Sequence, residues 1–371
     1  MKRAYYIDRL RILLITLVVF HHSSIAFGAL GGWYYITPNA TTGAVQFILS
    51  LFMCIDQAFF MSLFFFISAL LMPASFDRKG FRKFMKDRLV RLGIPLLAYT
   101  LLIHPTLIFA IYKYLGKTST PWLDFVWNID TEYPSPGPMW FVFTLLIFET
   151  MYALYRRVAS GNVEAKSEGV LPSAQKIFLF IIGTGLLAFA IRIFYPIGKN
   201  FFGLQFGFFV LYISTYVLGI LASNNNWIER FTLQNAWPWS IASLLSIPLI
   251  VMMLSLSRVP GIINELSGGM TPLALFYALW EPVICVGFCF FLVMFFKKYL
   301  NMGGMLTLVL SADSYTVYIF HPLIVVAFTI LSEQAAIPPV TRLVLVWAFA
   351  IPTCFIMAHL IRKIPGVKSV L

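Results

Sequence analysis

Arg11 and His22 stand eleven residues apart in the first apolar run of the chain. Eleven residues of α-helix turn through about 1100°, so the two side chains share one face, roughly 20° apart, and are separated by about 16 Å along the axis. That distance is about half the hydrocarbon thickness of a bilayer, which places a guanidinium at one mouth and an imidazole near the midplane. Ionisable groups at that depth are expensive and mark function by default. A guanidinium holds anions and an imidazole handles protons near neutral pH, so the pair suits an enzyme or a proton-coupled carrier. A quieter alternative is an imidazole bonded to a nearby carbonyl and an arginine on lipid phosphates. Asp8, three residues before Arg11, can orient the guanidinium through an ion pair. His21 points about 100° away from His22 and reads as a packing group.

Other polar groups fall at membrane depth. Asp56 lies beside Gln57 in the second apolar run, Glu149 in the fourth and Glu281 in the eighth, while His104 and His321 each precede a proline. A carboxylate in hydrocarbon must pair, bond or face water, so these three point inward, either as structural partners or as part of a site. A proline inside a helix releases a carbonyl that an imidazole can bond. Trp140 reads as an interface aromatic or as a platform for a sugar ring. Arg192, at the outer end of the fifth run, can meet an acidic group or the lipid interface. The segment Phe76–Arg91, FDRKGFRKFMKDRLVR, holds seven cations. Phe81, Phe84, Met85 and Leu89 recur at three- and four-residue spacing, which predicts an amphipathic helix at the membrane surface. It is either an anchor for anionic headgroups or a dock for a polyanionic ligand, with Arg88 and Arg91 one turn apart to fork onto phosphates and Arg82 and Lys86 beside them.

The elements that position these residues follow from composition. Hydrophobic residues make up 60% of the 371 and charged residues 11%, so the expected fold is an all-α integral membrane protein. Ten apolar stretches, at 10–30, 45–72, 92–112, 139–155, 176–195, 204–222, 236–256, 272–296, 306–331 and 340–361, predict a bundle of about ten transmembrane helices. With both termini cytoplasmic, 21 of the 27 lysines and arginines fall on the cytoplasmic side. The largest outer loop, 114–138, carries Asp124, Asp130 and Glu132, and Ala159–Ser173 reads as a flexible cytoplasmic linker. The whole of 1–371 is expected to form one transmembrane domain that includes the basic segment 73–91 and no soluble domain, its N-terminal run serving as a retained signal anchor. The net charge of +12 belongs to these membrane flanks and implies no nucleic-acid partner. Cys54, Cys285, Cys289 and Cys354 sit in apolar runs without ligand spacing, so neither a metal site nor a disulfide is expected.

Five fragments in order resemble the membrane-bound acyltransferase-3 family, across nearly the whole chain. They are YYIDRLRILLITLVVFHH with Arg11 and His22, FFMSLFFFISALLMP, KDRLVRLGIP with Arg88 and Arg91, PMWFVFTLL around Trp140 and SYTVYIFHPLIVV around His321. The ending LIRKIPGVKSVL is similar as well. In the second fragment the family commonly has Ser-Gly where this chain has Ser68-Ala69. The resemblance implies a bacterial, multi-pass inner-membrane O-acyltransferase of the stand-alone type, similar to glucan succinyltransferases and polysaccharide O-acetyltransferases. It implies acyl-CoA (acetyl-CoA or succinyl-CoA) as cytoplasmic donor and a hydroxylated glycan or glycolipid as acceptor at the outer side. On that reading His22 is the general base or, alternatively, carries the acyl group covalently; Arg11, oriented by Asp8, holds a phosphate or steers the donor, and Asp56 or Glu281 sets the histidine tautomer. Arg88, Arg91, Lys86 and Arg82 hold the CoA phosphates, and Trp140, Glu149, His321 and Arg192 face the substrate. The competing expectation is a proton-coupled secondary transporter.

Overall fold

A computed structural model describes residues 3–128, 135–159, 169–256 and 262–371. Asp130, Glu132 and Arg258, and most of the expected linker Ala159–Ser173, lie outside them. The described chain is helical: α1 (Tyr5–Ala26), α2 (Gly43–Arg88), α3 (Ile94–Ala98), α4 (His104–Tyr114), α5 (Trp122–Asn128), α6 (Trp140–Val158), α7 (Ala174–Phe194), α8 (Phe209–Asn224), α9 (Trp227–Arg230), α10 (Leu233–Leu256), α11 (Ile262–Ser267), α12 (Pro272–Tyr299), α13 (Met305–Ser332) and α14 (Pro339–Arg362). Among the described residues, nine helical segments are long and apolar enough to cross a membrane. This is an all-α, multi-span membrane protein.

The second and third expected spans form one of these nine, Gly43–Tyr114, which is 72 residues long. At about 1.5 Å per residue it is more than three bilayer cores in length. Gly80 breaks it with φ 65 and ψ 171, a conformation open to a residue without Cβ. From Phe81 the helix resumes to Arg88 and continues through two π-helical turns, Leu89–Gly93 and Tyr99–Ile103, on either side of α3. The basic segment is therefore helical up to its end, interrupted only at Gly80.

The chain divides into two compact units. The first comprises Met1–Leu14, Cys54–Phe84 and Tyr152–Thr307. At its centre α12 packs against α10 and α7. In lipid, helices associate through close packing and interhelical hydrogen bonds rather than by the hydrophobic effect, and small residues allow the approach. Ser243 of α10 donates to the Val283 carbonyl of α12 at 2.6 Å, and a Cβ at Gly287 would lie 2.6 Å from the Trp239 carbonyl oxygen. The fully buried Ala69 of α2 faces Gly219 of α8. The close approach that Ser-Gly would permit at positions 68–69 is supplied here by the opposing helix. A Cβ on Gly219 would come within 2.5 Å of the Phe66 carbonyl oxygen and 2.7 Å of the Ala69 Cβ. Gly219→Ala is accordingly expected to cost about 1–3 kcal/mol through overpacking. Thermal melting in detergent measures this, and adding Ala69→Gly should recover part of the loss.

The second unit comprises Ile15–Met53, Met85–Met151 and Leu308–Leu371. Here α1 stops at Ala26, short of the expected limit near residue 30, because Gly28 takes φ 103. The Ala29 N–H donates to Ser24 O at 3.0 Å and the Gly28 N–H to Ile25 O at 2.9 Å. These are the 6→1 and 5→2 bonds of a glycine-terminated Schellman cap. The returning chain satisfies two more carbonyls, with Thr37 N–H on Ala26 O and Thr41 N–H on Phe27 O, both at 2.9 Å. Ile25, Phe27 and Ala29 pack with Leu49 and Met53 of α2 and with Leu343 and Val346 of α14. Glu333 accepts hydrogen bonds from Tyr35 Oη at 2.9 Å and from Tyr114 Oη at 3.0 Å, strapping the segment after α1 to the ends of α13 and α4. His22 lies four residues, about 6 Å, before the end of α1.

Candidate active site

The residues around His22 all belong to the second unit. Pro322 on α13 has no N–H, so the Tyr318 carbonyl four residues earlier lacks its usual helical donor. His321 Nδ1 meets that carbonyl oxygen at 2.7 Å. A carbonyl only accepts, so Nδ1 carries the proton, and in the neutral ring Nε2 is left as an acceptor. His321 Nε2 lies 3.0 Å from His22 Nδ1. The His22 proton therefore sits on Nδ1, and His22 Nε2 presents its lone pair. One proline thus sets two tautomers in succession, and the outcome is an imidazole configured as a base. His321 is fully buried, so this orientation is held by packing as well as by bonding.

Trp33, in the segment between α1 and α2, stacks on His22 with ring centroids 4.0 Å apart and an interplanar angle of 21°. It lies 6.0 Å from His321, also near parallel. Tyr34 meets Trp33 edge-on at 5.2 Å. The Tyr34 hydroxyl is 2.6 Å from His104 Nδ1 and 3.1 Å from the Tyr99 hydroxyl. Gly137 packs against this cluster, and its φ of 49 and the 2.2 Å a Cβ would leave to Tyr34 Oη both require glycine. The neighbouring Pro138 carbonyl accepts a short hydrogen bond from Tyr318 Oη. Trp33, Tyr34, Tyr99 and Tyr318 were not among the expected site residues. The available signal was the GGWYY run directly after the first span and Tyr318 one turn before His321-Pro322.

The remaining expected residues are distributed as follows. Arg88 pairs with the buried Glu149, Nε to Oε2 at 3.0 Å, which unites an expected phosphate ligand with an expected substrate contact. Arg91 and Lys86 are exposed. Pro95 releases the Arg91 carbonyl as Pro322 releases that of Tyr318, and Tyr315 Oη donates to it at 2.9 Å. Trp140 opens α6, two residues after Pro138. Arg82 is exposed and belongs to the first unit, as do Asp8, Arg11, Asp56, Arg192 and Glu281. Asp8 accepts from Arg3 Nε at 2.7 Å, and Asp56 is buried on α2.

Two expectations change, and His22 meets His321 through Nδ1. His321, expected to face substrate, is committed to His22 and to the backbone. Arg192 and Glu281, assigned to substrate and to catalysis, form a buried ion pair with each other. Arg192 Nε also donates to the Gly207 carbonyl at 2.9 Å, and its guanidinium lies between the rings of Phe208 and Tyr277, each 5.4 Å away. The two buried charges are each other's partner, as their desolvation demands.

Residues 4–359 match the family described as Acyltransferase domain. The chain belongs to this acyltransferase-3 family. It is similar to proteins named "Glucans biosynthesis protein C". The one from Shigella dysenteriae serotype 1 is 28% identical over 231 residues, 60% of this chain and 58% of that protein. Those of Escherichia coli O1:K1 and of strain K12 are each 26% identical over 230 residues, with the same coverage. The chain thus spans a little over half the length of the curated relatives it matches. No solved structure matches. Family membership favours the acyltransferase expectation over the carrier. Pro322→Ala provides a test of the tautomer chain in this family member. Its new N–H would compete for the Tyr318 carbonyl, so turnover is expected to fall about tenfold, the worth of one hydrogen bond. Thermal stability should hold or rise, because a helical bond is restored; activity and melting curves of the same preparation read both.

Proposed function

We propose that this protein moves an acetyl or succinyl group from cytoplasmic acyl-CoA to a hydroxyl of a glycan or glycolipid at the outer face of a bacterial inner membrane. The observation that carries the reading is the Tyr318 O, His321, His22 hydrogen-bond chain in a member of the acyltransferase-3 family. It leaves the His22 Nε2 lone pair to take a proton from the acceptor hydroxyl. The names of the relatives support a glucan as acceptor. The excess of positive residues in the N-terminal, 73–91 and C-terminal flanks supports a cytoplasmic location for both termini.

The phosphates of CoA are too charged to enter hydrocarbon and remain at the cytoplasmic face. Arg91 and Lys86 offer them exposed charge, and Arg88, held by its ion pair with Glu149, stands beside them. The pantetheine arm is long and thin enough to carry the thioester along a helix, over a distance of the order of the ~16 Å between Arg11 and His22. His22 then removes the acceptor proton as its oxygen attacks the thioester carbonyl. The test is direct binding of acetyl-CoA and succinyl-CoA to the protein in nanodiscs, together with thioester turnover. Arg88→Ala/Arg91→Ala is expected to weaken binding at least tenfold, since a hydrogen bond to a charged group is worth about 1.5–3 kcal/mol. Failure of both esters to bind would rule out this donor class.

A further inference from the structure

We propose that Trp33 is a catalytic residue, its indole N–H stabilising the thioester oxygen as acyl transfer proceeds; the inference rests on the acyl-transfer reading above. Trp33 Nε1 is sealed from solvent and has no hydrogen-bond partner among the described residues. A buried donor left unpaired is costly, and a tryptophan that is buried usually finds an acceptor. The indole N–H groups of Trp122, Trp227 and Trp347 share this condition. What distinguishes Trp33 is its ring, which lies parallel to the base at 4.0 Å.

A carbonyl group is about 1.2 Å long, so a thioester carbonyl at the rim of two rings about one stacking distance apart can meet both of them. The acceptor oxygen bonds to the carbonyl carbon while its proton passes to His22 Nε2. The carbonyl oxygen takes up negative charge and accepts from Trp33 Nε1–H, which keeps its proton throughout. Collapse of the intermediate breaks the C–S bond. The sulfur leaves with the electron pair and takes the proton from His22 Nε2, giving the CoA thiol and the ester. A donor that meets charge only as it develops favours the transition state over the bound substrate. The unsatisfied state of Trp33 without substrate is then the ground state of such a donor. Gly31 and Gly32 precede it, Gly31 at φ 140, and the strap of Tyr35 onto Glu333 follows, so the indole is held from its C-terminal side.

Thioester turnover with acetyl-CoA and succinyl-CoA in nanodiscs, with water and then a β-glucan oligosaccharide supplied as the hydroxyl acceptor, tests the assignment on wild type, His22→Ala and Trp33→Phe. Trp33→Phe keeps an aromatic ring on His22 and removes the N–H. It is expected to lower kcat about 10²–10³-fold, as loss of one oxyanion donor does, with KM and ester binding within threefold of wild type. A merely structural role would shift KM, binding and melting together. Should Trp33→Phe fold poorly, benzothienylalanine at position 33 preserves the shape and replaces N–H by sulfur, and the same kcat loss is expected. Wild-type turnover with kcat within threefold in these variants overturns the role of Trp33 and leaves the acyl-transfer reading standing. Absence of turnover in the wild type with both esters overturns that reading and the role of Trp33 with it.

Discussion

His22→Ala is expected to lower acyl transfer by about 10²–10⁴-fold, the usual contribution of a positioned general base. The loss should appear in kcat rather than in donor binding, because the imidazole acts on the acceptor proton and not on the CoA phosphates. His22 lies one turn before the cap of α1, and its ring packs against His21, Trp33 and His321. Removing it should therefore leave the helix and its Schellman cap intact, with the protein eluting as a single species. Single-turnover thioester kinetics on the purified variant measures the effect. Activity within tenfold of wild type would move the base elsewhere. Full loss together with unchanged CoA-ester binding would separate the proton-transfer site from the donor dock.

Glu281→Ala should have its largest effect on stability. Glu281 and Arg192 are each about 1% exposed, and they neutralise one another inside the first unit. Removing one member leaves a buried guanidinium uncompensated, which costs about 3–5 kcal/mol. That is a large part of the 5–15 kcal/mol that typically separates folded from unfolded protein. A sharp fall in monodisperse yield and in melting temperature is expected. The double variant Glu281→Leu/Arg192→Met, apolar and of similar volume, should regain most of the loss, because the buried pair contributes little net over well-packed hydrophobic residues. If Glu281→Ala instead melts like wild type and loses turnover, Glu281 returns to the catalytic role that its position in the sequence first suggested.

The expectations for these residues failed and succeeded for identifiable reasons. A carboxylate deep in an apolar run must have a partner, and that inference holds for Glu281 and Glu149 alike. Which partner it takes depends on which helices meet, and no residue spacing encodes the meeting of α7 with α12 or of α2 with α6. His321-Pro322 was legible as an imidazole beside a freed carbonyl, since proline acts locally. That the other nitrogen of His321 would face His22 was not legible, because α1 and α13 are about 300 positions apart in the chain. The site aromatics Trp33 and Tyr34 were missed because a connecting segment carries no periodic signal, and in a chain with 17 tyrosines and 9 tryptophans a single WYY is unremarkable. The apolar spacing of the basic segment predicts the helix found there, while its charge hides its continuity with the second span in any hydropathy reading.

From sequence alone, the chain determined its class, its helices and its family: long apolar runs have no other stable form in lipid, because every backbone polar group must be satisfied within the segment, and short ordered motifs survive as linear text. Tertiary structure decided the chemistry of the site. It selected His321 as the partner of His22, diverted Glu281 to Arg192, and brought Trp33 onto the base. Hydrogen bonds, ion pairs and ring stacking act over about 3–5 Å between groups far apart in the chain, so their pairing exists only once the helices have packed.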